Sequence, residues 1–366
     1  MIIHSVLLAF LSWRYRLGDI RVILYGVGAI GSAVANLLLK KRGVKIVGAV
    51  DTAKDKVGRD LGDFLGLGAK TGVIISEDAS SALQKEKADI AIHATTSYLK
   101  DAYPQISKLI ENGVNVISTC EELVYPFYSE PELAEKLDAL AKKCHVAVLG
   151  TGINPGFLMD TLVIALTAVC QSINRIEAVR VIDAASRRMS FLNKIGVGLT
   201  LNEFKQKIAK RLITGHVGLE QSIAMIADAL SWDLERIVAE PVEPILAKEV
   251  FEKGLVKIDA GKVAGIRQRA KGFVDGKEVI LLDFQAYVSA KEEYDAVTIY
   301  GIPVVHQKIQ PCVHGDLGTA AILVNLIPKV LCASPGLVTM KDLPIPSAAP
   351  EDLSKCFMHK VHITVQ

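Results

Sequence analysis

The stretch IRVILYGVGAIGSAVANLLLKKRGVKIVGAVD, residues 20–51, decides how the rest of the chain is read. Residues 21–25, RVILY, are apolar beyond Arg21 and include the β-branched Val22 and Ile23, as suits a buried strand. The turn Gly26-Val27-Gly28-Ala29-Ile30-Gly31 follows at once and opens a helical pattern at 30–41. A second β-rich run at 45–51 ends in Asp51, twenty residues after Gly31. A bare G-x-G-x-x-G is a weak signal, but strand, glycine turn, helix, strand and acid in this order make a dinucleotide-binding unit. Gly26 permits the tight turn, Gly28 lets backbone approach a pyrophosphate, and Gly31 lets the helix sit close on the strand. The helix N-terminus at Ala29 and Ile30 offers free N–H groups and positive potential to phosphates. Asp51 can accept both adenosine ribose hydroxyls and repels a 2′-phosphate, which favours NAD. Thr52, Lys54 and Lys56 behind it could hold such a phosphate, so NADP stays open.

The alternation continues beyond this unit. Strands are expected at 90–94, 114–118 and 146–150, with helices at 101–112 and 131–143 and a short one at 79–85. Gly113 stands where a helix C-cap glycine belongs. Strands alternating with helices predict an α/β fold with a doubly wound parallel sheet, a Rossmann domain. After Gly156 the pattern changes. An apolar helix is expected at 157–169, a strand at 175–183, and helices at 201–211 and 219–230. Strand-like runs at 262–274, 278–288 and 295–301 follow, the first two joined by Asp275-Gly276, a hairpin signal. These predict a second α+β domain for substrate and dimerisation, and a last helix at 319–331 that returns to the first domain. The expected division is an extension at 1–19, a dinucleotide domain at 20–156 plus 310–346, a substrate domain at 157–309 and a tail at 347–366.

Composition excludes several classes. Half of the 366 residues are apolar, 22% are charged and the net charge is +2, so a basic nucleic-acid face is not expected. Six scattered cysteines form no CxxC pair and no zinc spacing, which predicts reduced thiols in the cytoplasm and no metal site. The apolar run 1–13 precedes its charges, Arg14 and Arg16, the reverse of a secretory signal, and is too short to span a bilayer. It is expected to be an upstream extension, surface-bound or poorly ordered, with no membrane partner.

In an open parallel sheet, ligands lie beyond the carboxyl ends of the strands. Thr95 and Thr96 follow one strand, Thr119-Cys120-Glu121-Glu122 the next, and Gly150-Thr151-Gly152-Ile153-Asn154-Pro155-Gly156 the last. The threonines suit the nicotinamide ribose, and Asn154 suits the carboxamide or the substrate. Glu121 and Glu122 are candidates for a general base or for a contact to a cationic substrate; helix N-terminal placement is the structural alternative. Cys120 reads as a packing thiol. In the second domain Arg187 or Arg188 could clamp a carboxylate, and the loop histidines His216 and His314 are further candidates.

The motifs 118–123 (STCEEL), 152–157 (GINPGF), 215–223 (GHVGLEQSI) and 335–344 (PGLVTMKDLP), with the glycine fingerprint, resemble the 2,4-diaminopentanoate dehydrogenase and native amine dehydrogenase family. The resemblance covers 20–346 and implies a two-domain fold like that of dihydrodipicolinate reductase. It implies NAD(P)-dependent oxidative deamination of an amine, reversible as reductive amination of a ketone with ammonia, and a glutamate acting on the amine. That role carries over to Glu122 or Glu121, with Glu122 favoured. A homodimer is expected. Dihydrodipicolinate reductases proper carry a paired-histidine segment followed by Lys and a Gly-Thr turn, which this chain lacks. The alternatives are reduction of a cyclic imine and a non-catalytic NAD-binding regulator, which would keep 26–31 but need no acids at the sheet rim.

Overall fold

The structure, a computed structural model, describes residues 18–253 and 256–357. The chain divides into two units, one running up to Ile153 and resuming at Gly315, the other Asn154–His314. In the first, β1 (Ile20–Tyr25), β2 (Val44–Val50), β3 (Ile75–Ser76), β4 (Ile90–His93), β5 (Asn115–Ser118) and β6 (Ala147–Gly150) join the short strand Gly336–Val338. All pair in parallel, in the order Gly336–Val338, β6, β5, β4, β1, β2, β3. β4 and β6 are buried along their whole length, as strands covered on both faces must be. Its longer helices include α1 (Ala29–Leu38), α2 (Leu99–Glu111) and α3 (Pro131–Lys143). One core gathers Ile23, Val116 and Val148 of the sheet with Ile106 and Leu109 of α2 and Leu137 of α3. The helix Gly315–Leu331 packs against α1 and β5. Gly113 has φ +70° and donates its N–H to the Ile110 carbonyl, the C-cap expected of it.

The strand order reverses between β1 and β4, and that switch point is where such sheets open a crevice for ligands. The Rossmann reading of 20–51 therefore holds in topology as well as in local pattern.

The second unit is built on long strands: β7 (Ser172–Asp183), β8 (Arg236–Ala239), β9 (Glu243–Leu246), the two-stranded pair β10 (Phe251–Lys253) and β11 (Val256–Ile258), then β12 (Val263–Val274), β13 (Lys277–Tyr287), β14 (Tyr294–Ile302) and β15 (Val305–Ile309). The main sheet runs β15, β14, β7, β13, β12, β8, with β9 also on β12. Asp275 and Gly276 both have positive φ, +48° and +72°, the two-residue turn whose twist suits a hairpin. The sheet is mixed rather than purely antiparallel, because β7 inserts between β13 and β14 and runs parallel to β13. Two helices matter for the site, α4 (Thr161–Thr167) and α5 (Leu219–Ala229), the latter packed on β12, β13 and β8.

Three expectations are corrected. The helix expected at 157–169 is only α4, because the buried Asp160 takes the Gly156 N–H on one oxygen and the Thr161 N–H on the other, holding 156–160 as a turn. Leu158 and Met159 bury as well in that turn as in a helix, so their hydrophobicity could not tell the two apart. The last helix starts at Gly315, four residues earlier than its apolar pattern suggests. β3, β8, β9, β10, β11, β15 and Gly336–Val338 were not expected, being two to five residues long.

Residues 347–357 follow the first unit: Lys41 Nζ donates to the carbonyls of Ala349 and Pro350, and Arg42 N–H to that of Glu351. No helix among the described residues is long and apolar enough to cross a membrane. The expectation for the apolar run 1–13 falls outside the described residues.

Candidate active site

Within the first unit, the three glycines of the fingerprint separate by what a side chain would meet. Gly26 has φ +98°, and a Cβ there would overlap the Ala94 carbonyl. A Cβ on Gly31 would overlap the carbonyl oxygen of Gly26. Both glycines serve the protein's own packing. Gly28 differs: its φ is −80°, and an added Cβ would meet nothing within 4 Å. The protein itself does not need that space, and a pyrophosphate lying on the N-terminus of α1 does. No side chain caps α1, so its first N–H groups, at Ala29 and Ile30, remain available to an anion. These residues fit a dinucleotide.

Asp51 ends its strand as expected, but its carboxylate is already engaged. Oδ2 accepts the Val27 N–H at 2.9 Å and Lys56 Nζ at 2.8 Å, and Oδ1 accepts the Ala53 N–H at 2.9 Å. Burial favours the neutral acid, yet the Lys56 ammonium and the two N–H groups outweigh it and hold the carboxyl below its ordinary range.

The rim of the sheet carries the other residues. Thr95 donates its hydroxyl to Gln105 Oε1 at 2.7 Å, Thr96 Oγ1 accepts the Tyr98 N–H, and Thr119 N–H donates to the His93 carbonyl. Glu121 and Glu122 are half-buried and open a single 3-10 turn, Glu121–Val124. Glu122 Oε2 accepts the Leu99 N–H at 2.7 Å and so caps α2, whose own N-cap residue, Tyr98, cannot. One oxygen of Glu122 is thereby fixed by backbone. The Cys120 thiol is buried, donates to the Ser97 carbonyl, and is pushed up to about 12 by that burial, which makes it a packing group rather than a nucleophile. Just below lies His93, buried at the end of β4 and hydrogen-bonded at both ring nitrogens. Sequence reasoning missed it; the only signal was one polar residue closing the apolar strand IAIH.

Within the second unit, both side-chain amide atoms of Asn154 are buried without a partner. Asp160 builds the turn behind it, accepting Gly156 N–H, Thr161 N–H and Ser222 Oγ at 2.6–2.7 Å, while Gly156 takes φ +124°. Burial raises the Asp160 carboxyl above its ordinary range against the pull of these donors. The turn 215–218 lies directly on this one, since a Cβ on Gly218 would overlap the ring of Pro155. His216 belongs to that turn. Its ring stacks on Phe284 at 4.5 Å, and its Nε2 is buried without a partner. Burial, with the charges of Lys194 and Arg180 adding, pushes it down to about 3, so the imidazole is neutral. Buried polar groups are almost always paired. Asn154 and His216 carry such orphaned atoms on turns that touch.

Arg187 is half-buried and Arg188 exposed, both just before helix Met189–Lys194, with Arg188 at its N-cap. The deeply buried arginine is instead Arg180, which pairs with Asp295 and donates to the Val313 carbonyl. His314 is the last residue of the second unit. Among the described residues, no group of three or more His, Cys, Asp or Glu could hold a metal ion.

The profile of the 2,4-diaminopentanoate dehydrogenase C-terminal domain matches residues 157–359, and that of the dihydrodipicolinate reductase N-terminus matches 20–151. The chain is 37% identical to the 2,4-diaminopentanoate dehydrogenase of Acetoanaerobium sticklandii, over 90% of this chain and 94% of that protein. The chain belongs to the 2,4-diaminopentanoate dehydrogenase family. Among solved structures, the amine dehydrogenase of Mycobacterium smegmatis is similar, with 30% identity and a TM-score of 0.79 over 90% of this chain and 97% of that one. Likeness to the 4-hydroxy-tetrahydrodipicolinate reductase of Prochlorococcus marinus is partial, 28% identity over 39% of this chain and 50% of that protein. Membership of the 2,4-diaminopentanoate dehydrogenase family agrees with the resemblance read from the sequence motifs, and it makes the protein a dehydrogenase with a nicotinamide cofactor.

Proposed function

We propose that the protein oxidatively deaminates 2,4-diaminopentanoate to 2-amino-4-oxopentanoate and ammonia, using NAD in preference to NADP. The observation that carries this reading is a pair of carboxylates, Glu121 and Glu122, at the end of β5 in a unit whose Gly28 leaves room for a dinucleotide. Gly26, Gly28, Gly31 and the N-terminus of α1 would hold the pyrophosphate, Asp51 the adenosine ribose, and Thr95, Thr96 and Thr119 the nicotinamide side. A nicotinamide held there would supply the hydride acceptor for the carbon that bears the amine.

The chain's own residues prepare the substrate for that transfer. An ammonium has no lone pair to drive hydride loss, so a proton must leave first. Glu122 takes it: the Leu99 N–H fixes one carboxylate oxygen and thereby orients the other. Once Glu122 has passed that proton to solvent, its carboxylate stabilises the cationic iminium, with Glu121 adding negative potential beside it. Water adds to the iminium carbon, and ammonia leaves. Asn154, whose amide can donate and accept, and the neutral His216 would bind the polar end of the substrate, with Arg187 or Arg188 as partner for its carboxylate. Exposed Tyr300 and Ile302 of β14 and Val304 in the turn that follows supply an apolar surface suited to a homodimer.

A panel of amines assayed with each cofactor tests this reading. We expect turnover with 2,4-diaminopentanoate and a higher kcat/KM with NAD. Asp51→Ser removes the charge that repels a 2′-phosphate and frees Lys56, so the NADP/NAD ratio of kcat/KM should rise roughly tenfold, the equivalent of about 1.4 kcal/mol. A wild-type enzyme that strongly prefers NADP would contradict the role given to Asp51.

A further inference from the structure

A hydrogen-bonded chain crosses the ends of β4 and β5, and the mechanism above makes no use of it. His93 Nδ1 lies 2.8 Å from Ser118 Oγ, and Ser118 Oγ accepts the Cys120 N–H at 3.0 Å. His93 Nε2 lies 2.7 Å from Gln105 Oε1 and 3.0 Å from Thr95 Oγ1. Thr95 donates to the same Gln105 oxygen at 2.7 Å. Gln105 Oε1 can only accept, so His93 Nε2 carries the ring proton. Nδ1 then accepts from the Ser118 hydroxyl. The ring is neutral, and its burial keeps it so by pushing it down to about 4.

The consequence falls on Thr95. Its one hydroxyl proton is committed to Gln105, and its methyl lies against Gly26, 3.1 Å from where a Cβ on that glycine would stand. Thr95 is nevertheless exposed. What it offers a ligand is a lone pair rather than a proton. The nicotinamide-side ribose hydroxyls are donors that such an oxygen suits.

We propose that His93 and Gln105 are positioning residues that lock the Thr95 hydroxyl as a hydrogen-bond acceptor for the nicotinamide-side ribose. Through Ser118 the same chain ties that contact to the Cys120 backbone, beside the loop that carries Glu121 and Glu122. The inference rests on the cofactor reading above and adds the role of two residues that touch neither cofactor nor substrate.

The test is to titrate the wild type and the variants T95V, T95S and Q105M with NADH and, separately, with ADP, which lacks the nicotinamide-side ribose. T95V and Q105M should weaken NADH roughly five- to tenfold, the effect of one hydrogen bond, while ADP changes by less than about twofold and T95S stays close to wild type. The ADP titration also reports that each variant is folded. Equal losses for NADH and ADP would make the chain a structural prop and overturn the inference, as would T95V and Q105M binding NADH like wild type. Failure of the wild type to bind either nucleotide would instead strike the cofactor reading, and this inference with it.

Discussion

Glu122→Gln should lower kcat for amine oxidation by about 10²- to 10⁴-fold, the range a positioned general base supplies. The glutamine keeps a carbonyl oxygen for the Leu99 N–H, so the cap on α2 survives and the loss reports chemistry rather than folding. KM for the amine should change far less than kcat, because the proton is taken after the substrate has bound. Glu121→Gln should cost only a few-fold, the share of a nearby charge rather than of the base. Stopped-flow single turnovers with both variants make the comparison. If the Glu121 variant is the inactive one, the base is Glu121 and Glu122 is only the cap. If both turn over at nearly the wild-type rate, proton removal by this loop is not part of the reaction.

Gly28→Ala should leave the melting temperature unchanged yet raise the Kd for NADH by roughly a hundredfold, about 2.7 kcal/mol. The added Cβ meets no protein atom within 4 Å, so the fold has no reason to respond. It does occupy the space that a pyrophosphate on the N-terminus of α1 would need. Gly31→Ala should behave in the opposite way. Its Cβ would overlap the Gly26 carbonyl, forcing α1 away from β1 at a cost of about 3 kcal/mol and a lower melting temperature even without nucleotide. Calorimetry of the two variants with and without NADH separates a glycine kept for a ligand from one kept for packing. A Gly28 variant that binds NADH normally would contradict the cofactor site.

The two glycines also show what could be read before the fold was known. The unit 20–51 is local: its strand periodicity, its turn and its acid lie within one stretch, and each constrains the others. The helices at 79–85 and 131–143 were readable for the same reason, and so was the hairpin at Asp275-Gly276. The missing strands were of another kind. β8 is four residues long and mostly exposed, so nothing but its partner, β12, makes it a strand.

The site divides along the same line. Gly26, Gly28, Gly31 and the Glu121-Glu122 pair stand out because their chemistry and their place after a strand coincide. His93 and Asp160 do not, because a single polar residue in an apolar run has meaning only through groups far along the chain. His93 finds Gln105 12 residues away and Ser118 25 away, and Asp160 finds Ser222 62 away. Arg180 was passed over in favour of Arg187 and Arg188, since its partner, Asp295, is supplied by a strand 115 residues on. Asp51 was read as an open acceptor, and the bond from Lys56 could not be foreseen from two charges five residues apart.

The most direct test of the whole account is stoichiometric. Purified protein incubated with NAD and 2,4-diaminopentanoate should form NADH and release ammonia in a one-to-one ratio, and should run backwards when 2-amino-4-oxopentanoate, ammonia and NADH are supplied. No NADH from this or any other amine, together with oxidation of NADPH by dihydrodipicolinate, would contradict it.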